Sequence, residues 1–162
     1  MKQNGFTLLE LLVVTAIILG ITGFAISNYN DFNRVEKLRQ TGKILKADLR
    51  LAQTQSTSGI KPSSCNVGAV TLTGYTLSFT QTSYSIQATC SSGAAGPITT
   101  VTFPAASGVT FSPTPASFLF NVLTGTSAAD HTLVLSGASH TYTILVSSSG
   151  DINDSGSGLG FQ

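Results

Sequence analysis

The stretch MKQNGFTLLELLVVTAIILG, residues 1–20, decides how the chain begins, and one of its residues does not fit its surroundings. The run from Phe6 to Ile26 is otherwise apolar in character but carries a single charged residue, Glu10. A carboxylate in hydrocarbon is costly, and an ionisable residue inside a membrane segment is a functional hypothesis by default. Glu10 therefore needs a partner for its charge, and the question is which group that is and at which stage the two meet.

The apolar run is long enough to cross a bilayer. Its 21 residues, at about 1.5 Å of helix each, span roughly the 30 Å of hydrocarbon. Lys2 precedes the run, so the positive-inside rule predicts that residues 1–5 lie in the cytoplasm and the rest lies outside. Removal as an ordinary secretory signal, by cleavage after Ser27, is the alternative, although no good small-x-small site follows.

A helical pattern continues beyond the apolar run. Apolar positions recur in steps of three and four, which marks one face of a helix: Phe32, Val35, Leu38, Gly42, Leu45, Leu49 and Ala52. Charged residues between them predict a solvated face: Arg34, Glu36, Lys37, Arg39, Lys43, Lys46, Asp48 and Arg50. We expect one helix from about Phe6 to Thr57. The alternative is a membrane anchor and a separate soluble helix, divided near Gly20 and Gly23, where glycine weakens a helix.

After Thr57 the pattern changes from helical to strand-like. Seven short runs rich in Val, Ile, Thr, Tyr and Phe are separated by Gly, Pro, Ser or Asn, which indicates strands and turns; they lie at 69–79, 83–90, 98–103, 108–111, 117–125, 131–137 and 140–150. The predicted fold class is therefore α+β. A long N-terminal helix, membrane-spanning in its first half and amphipathic in its second, packs on an antiparallel β-sheet or β-sandwich domain.

The pattern also predicts the core of this domain. The helix contributes Leu38, Leu45, Leu49 and Ala52. The strands contribute Leu77, Phe79, Val101, Phe103, Phe118, Phe120, Leu133, Leu135, Ile144 and Val146. Four prolines, at positions 97, 104, 113 and 115, are expected between strands, because proline cannot donate a hydrogen bond to a sheet.

Charge is scarce and unevenly distributed. Only 9% of the 162 residues are charged, against about 25% in typical soluble domains, which suits an extracytoplasmic or assembly-forming protein. All eight Lys and Arg residues lie at or before Lys61, and residues 62–162 hold three acids and no Lys or Arg. The chain has no tail of clustered positive charge, so direct nucleic-acid binding is not expected.

The two cysteines, Cys65 and Cys90, both lie in the β-rich part. If that part leaves the cytoplasm, a disulfide between them is the favoured interpretation. Two buried free thiols are the alternative.

The residues KQNGFTLLELLVVTAIILGI closely resemble the type III signal of prepilins. The resemblance combines a short basic leader ending in Gly5, then Phe6, Glu10 and an uninterrupted apolar helix, and it covers about the first 30 residues. In that family a prepilin peptidase cuts after the glycine and methylates the new N-terminus, here Phe6. The resemblance implies four parts: a cleaved cytoplasmic leader (1–5), a transmembrane and filament-core helix (6–27), an amphipathic helix (28–58) and a β-rich extracytoplasmic domain (59–162).

The resemblance also suggests a partner for Glu10. In a filament of staggered helices, its carboxylate meets the Phe6 ammonium of a neighbouring subunit. Two charges that are each costly to bury then become a pair, which penalises wrong docking more than it adds stability. The alternative is that Glu10 reaches to the cytoplasmic interface of the membrane.

A second, less specific resemblance lies near the end of the chain. It is similar to the C-terminal part of H-type minor pseudopilins and FimT-like minor pilins. The similar features are a turn at Gly125, a strand from Thr132 to Leu135, a strand from Tyr142 to Val146, and Gly150 with Ile152. Some FimT-like members bind DNA through basic residues after that terminal glycine. This chain has Asp151 and Asp154 there, which again argues against direct DNA binding.

Together these features predict a minor structural subunit of a type IV pilus or a type II secretion pseudopilus. The alternatives are a major pilin, or a tip module for adhesion or DNA uptake. The implied partners are other pilin or pseudopilin subunits, the prepilin peptidase, an inner-membrane assembly platform and the lipid bilayer. The implied location is the bacterial inner membrane, with the globular domain periplasmic or extracellular, and then the filament.

Other chemistry has weak support. Asp151, Asn153 and Ser155 alternate like the first half of a calcium loop, but Gln162 stands where the loop needs a glutamate, so a flexible polar C-terminus is favoured. His131 and His140 could meet if their strands pair, yet two histidines without a third ligand favour surface or turn positions. No G-x-S-x-G, P-loop or C-x-x-C motif occurs; we expect no enzyme activity, metal or cofactor.

Overall fold

The structure, a computed structural model, describes residues 7–65, 68–137 and 139–155. The chain divides into two compact units, Met1–Asn33 and Arg34–Gln162. One α-helix, α1, runs without interruption over Leu8–Thr57. The predicted continuous helix is confirmed, including its end at Thr57, and the alternative of a break at Gly20 or Gly23 is wrong.

In the first unit, α1 is largely apolar on every side between positions 8 and 23, where Glu10 is its one charged residue. Ten large aliphatic residues between positions 8 and 21 are each 45–82% exposed, and they include consecutive pairs that point in different directions. A helix that is apolar all round is normally covered by other apolar groups. Within the described part of the chain, no helix is both long and apolar enough to cross a membrane.

In the second unit, α1 buries a single stripe. Leu38, Leu45, Leu49 and Ala52 are fully buried, as the helical spacing predicts. The predicted stripe is wrong at its first position, because the Phe32 side chain is 59% exposed. Phe32 belongs to the first unit, whereas all the described strands belong to the second.

In the described part of the chain, eight strands form two antiparallel sheets. The first sheet has the order β3-β2-β1-β5 and contains β1 (Leu72–Phe79), β2 (Ser83–Cys90), β3 (Gly93–Thr102) and β5 (Phe118–Asn121). The second has the order β4-β6-β7-β8 and contains β4 (Thr110–Phe111), β6 (His131–Gly137), β7 (His140–Val146) and β8 (Ile152–Ser155). Short 3₁₀ turns lie at Ser63–Cys65 and Ala105–Ser107.

The seven predicted strands match β1 to β7, and β8 was not predicted. Its sequence, INDS, has one apolar residue, so a flexible polar C-terminus was the favoured interpretation. That interpretation is wrong for β8, because Ile152–Ser155 pairs with β7 and buries Ile152. Residues 156–162 of the predicted tail lie outside the described residues.

Pro97 lies within a strand, which corrects the expectation that all four prolines fall between strands. It is in β3, opposite Gln87, at a position where the pairing with β2 is irregular. Proline is tolerated here because β3 is the edge strand of its sheet and its pairing with β2 is irregular at this position.

The core contains the inner faces of both sheets and the α1 stripe. Eight of the ten predicted strand residues are buried, while Phe79 and Val101 are partly buried against them. Aromatic rings join the two sheets, since Phe111 of β4 contacts Phe79 of β1 and its ring centroid lies 5.3 Å from that of Phe103. Tyr75, Tyr84 and Tyr142 are also buried and were not predicted, because their hydroxyls suit a surface equally well.

Tyr142 sets the distance between α1 and the second sheet. A Cβ atom placed on Gly42 would lie 2.3 Å from Cδ1 of the Tyr142 ring, so the ring packs directly on the helix backbone. No other residue type leaves that space, which explains why a helix interior tolerates the weak helix former glycine here.

We predict that Gly42→Ala lowers the free energy of unfolding by up to about 2 kcal/mol, since overpacking costs about 1–3 kcal/mol and better helix propensity offsets about 1 kcal/mol of that cost. A double-mutant cycle with Tyr142→Ala, measured by chemical denaturation of the full chain in detergent, tests the cause. Without the ring, Gly42→Ala should become neutral or stabilising. An unchanged penalty in the Tyr142→Ala background would contradict this explanation.

Candidate assembly site

The start of α1 is held by a side-chain cap. The backbone N–H of Glu10 donates to Oγ1 of Thr7 at 3.3 Å, which satisfies one of the free N–H groups at a helix start. Thr7-Leu8-Leu9-Glu10 has the T-x-x-E spacing of a capping box, a signal in the sequence that explains why the helix begins at Leu8. Glu10 also lies in the first turn, where the helix dipole favours a negative charge.

Glu10 is the only acid in the first turn, and its neighbours one turn further along the helix surface are the exposed Val13 and Val14. Among described residues, no side chain donates to its carboxylate. Its predicted partner is the Phe6 amine of a second chain, and Gly5 and Phe6 lie outside the described residues. Such a carboxylate can select the axial position of one apolar helix against another, because an apolar surface offers no hydrogen bond or cation to offset the cost of burying the charge.

A disulfide joins Cys65 to Cys90, as predicted, with their Cα atoms 5.7 Å apart. It ties the segment between α1 and β1 to the end of β2, and both cysteines are buried. Because the bond closes a chain separation of 25 residues, it restricts the unfolded chain and fixes where the first sheet starts.

Two residues predicted to be solvated are instead bound to the sheets. Asp48 accepts a hydrogen bond from the Tyr84 hydroxyl (2.6 Å). Burial, and then this bond, raise the pKa of Tyr84. Lys46 forms a salt bridge with Asp154, whose other oxygen accepts from the Tyr142 hydroxyl at 2.8 Å. Lys46 and then Tyr142 lower the pKa of Asp154 to about 2, and burial, followed by Asp154, raises that of Tyr142 to about 12.

Gln53 anchors the last turns of α1 to two glycine turns. The side-chain amide of Gln53 donates to the carbonyl oxygens of Gly125 (3.2 Å) and Gly150 (2.5 Å). Both glycines have positive φ, 65° and 91°, and a Cβ on Gly150 would lie 2.5 Å from the Gln53 amide nitrogen. These are the two glycines that carry the second family resemblance, so their structural role is to let one glutamine bind two turns.

The calcium candidate is organised as a strand. Ser155 and Asn153 lie in β8, and Asp151 precedes it. The Asn153 amide donates to Oδ2 of Asp151 at 2.6 Å, so these two polar groups are already paired with each other. Among the described residues, no group of three or more His, Cys, Asp or Glu is placed to hold a metal ion.

The two histidines do not meet. Their strands pair, but His131 faces Val146 at one end of the β6–β7 hairpin and His140 faces Gly137 at the other. The idea of a shared metal is therefore wrong. The His131 ring is stacked on Phe118 with centroids 4.2 Å apart, and its Nε2 lies 3.0 Å from Oγ of Ser127.

Ser127, His131 and Asp130 are a group that sequence analysis could not select from so many serines. Ser127 is buried, and Oδ1 of Asp130 accepts the backbone N–H of Ser148 at 2.6 Å. No described hydrogen bond joins Asp130 to the imidazole, so the three residues are not aligned as a nucleophilic triad. Their contacts instead hold the loop before β6 against the end of β7.

Comparisons with known proteins give two matches. A model of the prokaryotic N-terminal methylation motif matches residues 1–22. The fold is similar to that of the type IV minor pilin FimU from Pseudomonas aeruginosa, with a TM-score of 0.54 and 17% sequence identity, covering 76% of this chain and 91% of that chain. No curated protein sequence matches the chain significantly. The matches confirm the predicted fold class and the resemblance to prepilins, which are structural rather than enzymatic proteins.

We predict that replacing both cysteines, Cys65→Ser with Cys90→Ser, lowers the free energy of unfolding by about 3 kcal/mol, the loop entropy that the disulfide removes from the unfolded chain. Reductant should lower the stability of the native protein to that of the double variant. The double variant is the control, because reductant should leave it unchanged. Equal stability of the native protein with and without reductant would contradict a stabilising disulfide.

We also predict that stability falls over the pH interval below about 6.5, and that the fall depends on His131. Burial lowers the pKa of His131. The unfolded chain therefore binds a proton near the ordinary value of about 6.5 while the folded chain resists it. Stability is complete above that value and falls as the pH drops below it. The thermal unfolding midpoint should fall over this interval, and His131→Gln should abolish most of the fall. His140→Gln is the matched control and should retain it; an equal effect of both variants would contradict the assignment.

Proposed function

We propose that this chain, a pilin-like protein, is a minor structural subunit that is made as a prepilin and assembled into a type IV pilus or a type II secretion pseudopilus. The observation that carries the proposal is the apolar first part of α1, which bears one carboxylate in its first turn and lies within the methylation motif. The minor class is suggested by the similarity of the fold to a protein described as a type IV minor pilin.

In this proposal a prepilin peptidase cuts between Gly5 and Phe6 and methylates the Phe6 amine. The leader, residues 1–5, is lost, and residues 6–27 serve first as the membrane anchor and then as the filament core. The exposed aliphatic side chains of α1 support this role, because they need apolar cover, which lipid and neighbouring helices both provide.

The rest of the chain is proposed to lie outside the cytoplasm, with residues 28–58 as the amphipathic part of α1 and residues 59–162 as the β-rich domain. The Cys65–Cys90 disulfide supports this placement, since such bonds persist in oxidising compartments. The inner membrane of a bacterium, with an assembly platform in it, and then the filament are the proposed locations. Other pilin-like subunits are the proposed partners.

Glu10 is proposed to pair with the methylated Phe6 amine of a neighbouring subunit. Cleavage after Gly5 puts that amine four residues before Glu10, about one helical turn away, so each chain presents a positive and a negative group close together. In stacked chains the two groups can pair between subunits, and a wrong axial position leaves two charges unpaired in an apolar environment.

We predict that Glu10→Gln leaves processing intact but lowers incorporation into filaments by about a hundredfold, because it leaves the buried ammonium without its counter-charge. Glutamine keeps the capping function of the N3 position. This variant therefore separates the charge pair from the helix cap. Glu10→Asp, which keeps the charge, should retain part of the incorporation, and Thr7→Ala, which removes the cap, should have the smaller effect.

The measurement is the intact mass and the amount of the chain in sheared filaments and in membranes. Chains that begin at methylated Phe6 in both fractions support the processing step. Full-length chains that begin at Met1 would contradict the proposed function. Normal incorporation of Glu10→Gln, with normal processing, would contradict only the role given to Glu10.

A further inference from the structure

The outward face of α1 in the second unit has an apolar centre that nothing in the described chain covers. Ile44 is 54% exposed and Leu51 is 50% exposed. They are seven residues apart, so they lie on one side of the helix, with the exposed Ala47 between them. This face points away from the buried stripe of Leu45 and Leu49.

Basic residues surround this apolar centre. Lys37 lies seven residues before Ile44 on the same line, and Lys43 and Arg50 lie along one flank; all three are exposed. Among described residues, the one salt bridge joins Lys46 to Asp154, so these three cations have no acidic partner within the described chain. We call Lys37, Lys43, Ile44, Arg50 and Leu51 the basic helix face.

A recess of complementary character lies on the outer face of the second sheet. Thr132, Leu145 and Asn153 are in register across β6, β7 and β8. Leu145 is 43% exposed and forms an apolar floor. Asp130 and Asp151 line the same recess, whose volume is about 350 Å³.

The acids of the recess have no Lys or Arg partner among the described residues, and the basic group beside Asp130 is the imidazole of His131, which also lines the recess. Asp130 accepts the Ser148 N–H, and Asp151 accepts the Asn153 amide, but neither forms a salt bridge with a described residue. The neighbouring sequence cannot supply a Lys or Arg partner, because no Lys or Arg occurs after Lys61. The two surfaces therefore complement each other in two ways, apolar centre to apolar floor and cations to carboxylates.

We propose that the basic helix face of one copy docks into the Asp130–Leu145–Asp151 recess of a second copy. The occupant is a second copy because this chain itself supplies both surfaces, each with the charge that the other lacks. Such a contact joins two different patches, so it closes a dimer where a two-fold axis makes it reciprocal, and gives a ring or an open chain otherwise. The inference deepens the proposed function, on which it rests, by naming a contact between globular domains of neighbouring subunits.

The test places a photoreactive p-benzoylphenylalanine at position 47 of the full chain, between Ile44 and Leu51, and irradiates cells that express it. The expected product is an adduct with the mass of two processed copies, linked to a peptide from residues 130–153. An adduct with a different protein, a link to another part of the chain, or no adduct would overturn the inference.

Charge reversal tests the complementarity. Lys43→Glu with Arg50→Glu in the probe-bearing copy should lower the adduct yield about tenfold, because attraction becomes repulsion. A second copy with Asp130→Asn and Asp151→Lys should restore much of the yield; asparagine at position 130 still accepts the Ser148 N–H. Arg34→Glu, on the same helix but outside the basic helix face, is the matched control and should change nothing. Failure of the compensating pair to restore the yield would overturn the assigned contact.

The intact mass of the same samples separates the two proposals. Processed chains in filaments that give no two-copy adduct would overturn the docking contact and leave the proposed function standing. Unprocessed chains would contradict the proposed function, whatever the adduct.

Discussion

Burial of one stripe of α1 against two sheets is the constraint on which the second unit depends. Leu38, Leu45, Leu49 and Ala52 have no exposed surface, and a fully buried leucine contributes about 1.5–3 kcal/mol relative to an exposed one. A four-stranded antiparallel sheet has two faces and needs a partner for the apolar one. Here the two sheets share α1 as that partner, and their aromatic residues close the space between them.

Polar bonds along the edges of this stripe determine how the sheets sit on α1. Asp48 binds β2 through Tyr84, Lys46 binds β8 through Asp154, and Gln53 binds two glycine turns. Ser56, fully buried, lies within hydrogen-bonding distance of the Phe120 and Asn121 carbonyl oxygens. Among described side chains, no buried polar atom lacks a partner. Sliding the helix by one residue would break all of these bonds, so they select one position where apolar packing alone would allow several.

The division of charge connects the fold to assembly. Helix α1 and the segment after it carry all the described Lys and Arg residues, and the outer face of the second sheet carries Asp130 and Asp151. One internal salt bridge uses a single cation and a single acid, which leaves both surfaces charged. An apolar helix end with one acid and a globular unit with separated charges both suit a subunit that completes its interactions with other subunits.

The sequence by itself determined the element types, because they follow from local periodicity. Steps of three and four residues placed α1 and its buried stripe. Short runs rich in β-branched and aromatic residues, separated by turn residues, placed β1 to β7. Gly5, Phe6 and Glu10 pointed to the prepilin resemblance. Only the tertiary structure decided what depends on contacts between distant residues. Lys46 and Asp154 are 108 positions apart, so no local pattern links them, and β8 is a strand because β7 pairs with it. His131 and His140 are the first residues of β6 and β7. They are separated because the first residues of two antiparallel strands lie at opposite ends of the hairpin. Phe32 shows the same limit of local patterns: its spacing fits the stripe, but it belongs to the first unit and its side chain is exposed.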